Sequence, residues 1–474
     1  MPKQPNILIV MSDEHSPRFS GAYGHPFIDT PNMQRLADEG VTFENAYCNS
    51  PVCAPSRASF MAGQLLPSVG VWDNAASLSS DEATWAHLLN AAGYETVLCG
   101  KMHFQGPDQS HGFKRRILSD CHGDWDLRLT ANWSEWRPEN AAFGKNLFTV
   151  AGPGEDDFSA YDEAAAARAS GYIRGRADSD HPWAMLVGFI TPHFPFVVRR
   201  PYWNKYYPEH ADQPEIPAHF ESMHPHNRRM AEWFSYIGVD PDLTARSRAA
   251  YYGLIDYCDF RLGQVLDALE ESGQLDETLV VYTSDHGDSA GEHGMWTKQT
   301  FFEDSVRVPL HIRWPGRARS GLRIRQPVSL VDLTRTILDA AGADSPDFWA
   351  GESLLPLADG APETAGEVIA DYTAVAAKGP CRMVRVGELK YNYYHGHGND
   401  SEELFDLASD PRELVDQVRN PEFAAALAEL RARAMRDYDP DRICARVLRS
   451  QQKRRLIDAG QGHTPAGYWK PGNP

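Results

Sequence analysis

The 474 residues are 42% hydrophobic, 23% charged and 11% aromatic. That balance excludes wholesale disorder and allows one large core with a smaller module beside it. The formal charge of −19, from 65 acidic and 46 basic residues, disfavours nucleic acid as the main partner, because phosphate binding calls for a basic face.

In chain order, the apolar run Pro5–Met11 stops abruptly at Ser12-Asp13-Glu14 and reads as a buried parallel strand. A helix follows over 30–39 and a short strand over 41–46. Residues 85–92 read as helix, and 95–99 as a strand running into Gly100-Lys101-Met102-His103. Residues 105–155 show weak periodicity and are expected to be long loops. A helix over 160–176 precedes a buried strand over 183–190 that ends at Thr191-Pro192-His193. Residues 196–240 again read as irregular, 245–271 as a long amphipathic helix, and 279–283 as a strand ending in Ser284-Asp285-His286-Gly287-Asp288. A further strand at 309–312 and a helix at 330–341 complete the rhythm. Strand, polar loop and helix in repetition predict an α/β fold with a large, mostly parallel sheet flanked by helices. Near residue 360 the pattern changes to short alternating runs and then a helical tail. The expected division is 1–362 and 363–474, the second part a smaller α+β subdomain with a short antiparallel sheet.

No apolar run approaches the roughly 20 residues of a membrane span, and Ile7–Met11 is too short for a signal-peptide core. Seven scattered cysteines without a CxxC pair predict no disulfide framework. A cytoplasmic protein with no membrane partner is expected.

Ligands in open α/β sheets bind at the carboxyl ends of strands. Asp13, Glu14, Asp285 and His286 all fall there, and three carboxylates with an imidazole suit one hard divalent cation. Any one of them alone is more often a loop acid or a cap. Cys53-Ala54-Pro55-Ser56-Arg57 opens a helix-forming stretch, which places Cys53 at a helix N-terminus, where free N–H groups favour a thiolate or oxyanion. Arg57, one turn on, can hold an anion. For a cysteine in isolation, the bland reading is a buried structural thiol.

C-x-P-S-R resembles the signature of type I sulfatases of the alkaline phosphatase superfamily. The chain is similar to that family also at Pro5–Asp13, Gly100–His103, Thr191–His193, Ser284–Asp288 and Lys298, and at Leu404–Leu407 with Asp410-Pro411. Asp13-Glu14 stands where many members have two aspartates. Val71–Ala76, Gly100–Gly112 and Val447–Leu456 most resemble choline sulfatases and their relatives. The resemblance implies an alkaline-phosphatase-like fold and a Cys53 converted by a maturase to formylglycine. It also implies one divalent metal, Ca²⁺ or Mg²⁺/Mn²⁺, on Asp13, Glu14, Asp285 and His286. Arg57, Lys101, His103, His193 and Lys298 complete the implied catalytic set, with His193 or Lys298 protonating the leaving alcohol and His103 acting as base.

Asn74, Trp125 and Asp371 are candidate substrate contacts, since aromatic and acidic groups suit a quaternary ammonium. Loop tryptophans more often simply pack their loops down. The expected substrate is a small sulfate monoester, choline-O-sulfate-like or another alkyl or aryl sulfate. The expected assembly is a homo-oligomer, dimer or tetramer. Rival readings are a phosphonate monoester or phosphodiester hydrolase using the same site, a carbohydrate sulfatase, and a non-catalytic binding protein that keeps an unmodified Cys53.

Overall fold

The computed structural model describes residues 4–122, 126–127, 130–131, 133 and 147–461. Trp125 lies outside them.

The apolar runs form the centre of an eight-stranded sheet. Its order is Leu322–Ile324, Val41–Phe43, Leu310–Arg313, Thr278–Ser284, Asn6–Asp13, Trp183–Pro192, Glu95–Gly100, Arg115–Leu118. Asn6–Asp13 pairs in parallel with Trp183–Pro192 on one side and Thr278–Ser284 on the other. Leu310–Arg313 runs antiparallel to both its neighbours. The runs are continuous because the sheet is covered on both faces. Ile7, Ile9 and Met11 enter one core, while Leu8 and Val10 enter the other. Ala184 and Leu186 are split in the same way from Met185 and Val187. Each such aliphatic side chain, fully buried, contributes about 1.5–3 kcal/mol.

The helices Asp157–Arg174 and Pro241–Glu271 cover one face, through Tyr161, Ala165, Leu262 and Val265. Cys53–Ala62, Trp85–Ala91 and Leu330–Ala341 cover the other, through Phe60, Trp85, Leu333 and Ile337. A separate antiparallel sheet orders Glu367–Tyr372, Cys381–Val386, Leu389–Tyr394 and Glu402–Asp406. The helix Ala424–Ala434 packs on it, with Leu430 and Ala434 against Val384, Tyr391 and Leu404. The helix Pro440–Gln461 follows.

Two expectations are corrected. The stretch 105–155 is not all loop: Arg115–Leu118 is the outermost strand, and Gly152–Pro153 pairs with Val197–Val198. Charged Arg115 and Arg116 mask the strand signal, as is common where an edge must resist pairing. The stretch 196–240 contains the helices Arg200–Tyr206 and Pro225–Trp233, each with proline in its first turn, where the missing N–H costs nothing. All seven cysteines are unpaired. No described helix is long and apolar enough to cross a membrane.

Candidate active site

Four parallel strands deliver polar residues to one edge of the sheet. Asp13 and Glu14 end Asn6–Asp13, and Asp285 and His286 follow Thr278–Ser284, with Ser12 opposite Ser284 in register. Lys101 and His103 follow Glu95–Gly100, and His193 follows Trp183–Pro192. The helix Cys53–Ala62 points its N-terminus at this edge. Glu14 and His103 have φ of 69° and 59°, so both chains turn sharply as they leave their strands.

Arg57 is fully buried and ties the edge together. Its Nε lies 2.7 Å from Asp285 Oδ2, one terminal nitrogen 3.0 Å from Asp13 Oδ2, and the other donates to Lys101 O at 2.8 Å. Lys101 Nζ pairs with Asp13 Oδ2 at 2.8 Å. Ser56 Oγ donates to Asp285 O at 2.6 Å. Around Cys53 Sγ stand Lys298 Nζ at 3.0 Å, His286 Nε2 at 3.2 Å and Asp13 Oδ1 at 3.6 Å. Glu14 Oε2 is 3.4 Å from His193 Nε2 and 3.6 Å from Lys298 Nζ.

Burial opposes charge here, and the neighbours decide the outcome. Burial raises the Asp13 carboxyl, yet Lys101, His193, Lys298 and Arg57 hold it well below the usual range. Burial and Asp13 raise the Cys53 thiol, but Lys298, Lys101 and His286 bring it well below an ordinary cysteine. Glu14 goes the other way: burial pushes its carboxyl well up, with Lys298 only partly offsetting it. Burial also draws the His193 imidazole down to about 4.

The donor atoms of Asp13, Cys53, Asp285 and His286 lie within 4.8 Å of one another, and so do those of Asp13, Glu14 and His193. Both Glu14 carboxylate oxygens are buried without a hydrogen-bond partner. Asp13 is common to the two sets, and carboxylates with an imidazole in each, one of them a Glu14 carboxylate without hydrogen bonds, fit a hard divalent cation.

The structure therefore brings Asp13, Glu14, Cys53, Arg57, Lys101, His193, Asp285, His286 and Lys298 into one network. His103 stacks on His122 with ring centroids 4.1 Å apart, and neither of its ring nitrogens is hydrogen-bonded. Asn74 is half-buried, and its Oδ1 accepts from Ala54 N at 3.0 Å. Asp371 is buried, with its two oxygens 2.7 and 3.0 Å from Arg382, so its charge is already paired in this arrangement.

Three acids near the site carry no sequence signal as site residues. Asp120 accepts from the backbone N–H of Met102 and His103 at 2.8 and 2.7 Å, holding the turn that carries Lys101 and His103. Asp288 accepts from Ala290 N and Thr297 N at 2.7 and 2.8 Å, which fixes the loop leading to Lys298. Asp73 accepts from Ala131 N at 3.0 Å and from Arg454 of the helix Pro440–Gln461 at 2.5 Å. Of these, Asp73 and Asp288 fall inside quoted segments and Asp120 does not.

A family profile described as Sulfatase matches residues 5–343, and one described as N-sulphoglucosamine sulphohydrolase, C-terminal, matches residues 291–438. The chain belongs to the sulfatase family and is an enzyme of sulfate ester hydrolysis. Choline-sulfatase of Rhizobium meliloti (strain 1021) is 38% identical over 476 residues, 96% of this chain and 91% of that protein. Arylsulfatase K of Danio rerio is 31% identical, over 87% of this chain and 80% of that protein. A putative sulfatase from Bacteroides thetaiotaomicron VPI-5482 superposes with a TM-score of 0.74 at 25% identity, over 96% of this chain and 94% of that one. Phosphonate monoester hydrolase of Agrobacterium radiobacter shares the fold, with a TM-score of 0.72 at 23% identity, over 91% of this chain and 94% of that one. The fold is the alkaline-phosphatase-like one that the motifs imply.

Proposed function

We propose that the enzyme hydrolyses a small organic sulfate monoester, choline-O-sulfate or a similar alkyl or aryl sulfate, with residue 53 as nucleophile. The observation that carries this reading is the surround of Cys53 Sγ. Lys298 Nζ, His286 Nε2 and Asp13 Oδ1 all lie within 3.6 Å of it, at a helix N-terminus that favours negative charge. The 38% identity to a choline-sulfatase supports the choice of substrate.

Converted by a maturase to formylglycine, residue 53 supplies a hydrated aldehyde, with one hydroxyl to attack sulfur and a second to drive sulfate out. A divalent cation on Asp13, Glu14, Asp285 and His286, Ca²⁺ before Mg²⁺ or Mn²⁺, supplies Lewis acidity. The chain's own groups do the rest. Arg57 holds the Asp13 and Asp285 carboxylates in place, and Lys101 and Lys298 present fixed positive charge where sulfuryl oxygens gain negative charge. Lys298, held charged, or His193 delivers the proton to the leaving alcohol, and His103, with unbonded ring nitrogens, takes the second proton from residue 53. Asn74 contributes its Nδ2 donors to a sulfuryl oxygen, its Oδ1 being engaged by Ala54. We place the enzyme in the cytoplasm as a homo-oligomer.

The test is mass spectrometry of the peptide containing residue 53, from protein made with a maturase, followed by turnover of choline sulfate, aryl and sugar sulfates, phosphonate monoesters and phosphodiesters. An aldehyde mass with the highest kcat/KM on choline or aryl sulfate is expected. Active protein with an intact thiol overturns the mechanism. A preference for phosphonates or diesters, or for sugar sulfates, overturns the substrate.

A further inference from the structure

The helix Cys53–Ala62 begins after Val52, which has no polar side chain to cap it. Helix N-termini need acceptors for their first N–H groups. One is imported from elsewhere in the chain: Asn74 Oδ1 accepts from Ala54 N, the amide next to residue 53.

What holds Asn74 is the residue before it. Asp73 is 1% exposed, and its carboxylate is a hub. Oδ1 accepts from Ala75 N at 3.1 Å, and Oδ2 accepts from Ala131 N at 3.0 Å and from an Arg454 terminal nitrogen at 2.5 Å. Arg454 lies 381 positions away, on the helix Pro440–Gln461. Its own position is set by Ser450 Oγ at 2.5 Å and Thr130 Oγ1 at 3.3 Å. That helix seats Val447 and Ile443 against Trp72 and Leu66, and lays the Arg446 guanidinium 4.9 Å from the Trp72 ring centroid. Gln451 Oε1 accepts from Trp133 N at 3.4 Å. The segment Val71–Ala76 is thus held by the C-terminal helix from one side and holds the nucleophile helix on the other. A buried ion pair gains little net stability, because desolvation offsets the attraction. What this one supplies is a fixed geometry.

We propose that Arg454 is a positioning residue for the reaction. Through Asp73 it fixes Asn74, and through Asn74 the first turn of the helix that carries residue 53. The C-terminal helix is then an in-chain brace of the nucleophile. This rests on the reading of residue 53 given above.

The test uses Arg454→Met and Arg454→Lys in the full chain, with two readouts. One is amide exchange in the peptide covering Cys53–Arg57. The other is steady-state turnover of an aryl sulfate, p-nitrophenyl sulfate, per formylglycine measured by mass spectrometry. Arg454→Met is expected to speed exchange by about tenfold and to lower kcat, more than it raises KM, by about 10- to 100-fold. Arg454→Lys is expected to recover part of both. Leu456→Ser, at a 76% exposed position of the same helix, is expected to change neither. Exchange and kcat in Arg454→Met both within about twofold of wild type overturn the proposal. If Arg454→Met does not fold, Asp73→Asn keeps the hub's shape without the charge that draws Arg454, and the same readouts decide. Faster exchange in a protein whose wild type turns over no sulfate ester upholds the brace and overturns the proposed function instead.

Discussion

Lys298 Nζ stands 3.0 Å from Cys53 Sγ, although 245 residues separate them in the chain. The lysine is buried, and its ammonium is held charged by Cys53, Glu14 and Asp13 against the pull of burial. A fixed cation in a water-poor site is worth far more than one in solvent. Lys298→Ala is therefore expected to lower kcat by about 10²- to 10³-fold, and Lys101→Ala and His193→Ala to act in the same direction. Cys53→Ala removes the proposed nucleophile and is expected to leave no measurable turnover. Circular dichroism should show all four folded. Turnover near wild type in any of them removes that residue from the mechanism.

Glu14 makes a prediction whose sign depends on metal. Its two oxygens are buried without hydrogen bonds, with only His193 and Lys298 at ion-pair distance, and burying a polar group that lacks its hydrogen bonds costs about 1–3 kcal/mol. In chelator-treated protein, Glu14→Gln should raise unfolding stability by about 1 kcal/mol. With Ca²⁺ present it should lower stability, because a ligand is lost; metal at 100 times its Kd stabilises the native state by about 2.7 kcal/mol. Calorimetric unfolding with and without Ca²⁺ checks this. A shift of the same sign under both conditions removes Glu14 from the metal shell.

Much of the site was legible because the strands are. Continuous apolar runs that stop at Asp13, Lys101, His193 and Asp285 mark strand ends at one edge of a sheet covered on both faces. Cys53 and Arg57 needed the motif as well, since a thiol near a proline is weak evidence alone. Asp120 and Asp288 were not legible as site residues, because their partners are backbone amides, which leave no pattern in side-chain identity. Arg454 lies in the basic run Lys453-Arg454-Arg455, which reads as a solvated face. Only tertiary packing selects Arg454, which shares a buried helical face with Val447 and Gln451 at i−7 and i−3. Asp371 illustrates the converse: an acid among aromatics looks available for a cation until Arg382 is seen beside it.

His311 gives a pH dependence away from the site. It is fully buried on Leu310–Arg313, with Nδ1 3.0 Å from Thr42 Oγ1, and burial draws its pKa down to about 3. The unfolded chain binds a proton here near pH 6.5, while the folded protein stays neutral until about pH 3. Stability contributed through this residue is thus unaffected above pH 6.5 and is lost as the pH falls below it. At pH 4.5 the loss is on the order of 3 kcal/mol. His311→Gln, which keeps a polar partner for Thr42 and cannot protonate, should show a correspondingly smaller loss between pH 7 and 4.5 in denaturant titrations. A variant whose stability falls in parallel with wild type shows that His311 does not carry this slope.

Lys390 joins the antiparallel sheet to the loop beyond Lys298. It is fully buried on Leu389–Tyr394, with Nζ 2.9 Å from Glu303 Oε1 and 2.6 Å from Glu413 Oε1, while Glu413 Oε2 accepts from Glu303 N at 2.7 Å. Arg385 adds a second cation 3.2 Å from Glu303. Burial would raise the Glu303 carboxyl, but Lys390, Arg385 and Arg307 bring it down to about 2; burial leaves Glu413 at about 7. One carboxylate is thus firmly ionised and the other is nearly balanced, so a single lysine serves both. Removing the lysine leaves Glu303 to Arg385 and Arg307 but strands Glu413, and breaking a buried pair typically costs about 3–5 kcal/mol. Lys390→Met should lose that much in denaturant unfolding at pH 8. At pH 5.5 the loss should be smaller, because Glu413, at about 7, is already protonated there and is no buried charge with or without Lys390. The double variant Lys390→Met with Glu413→Gln removes the stranded charge outright and should recover part of the stability at pH 8. Equal losses for the single and double variants at pH 8 would show that the lysine acts by packing alone, with its charge immaterial to the joint.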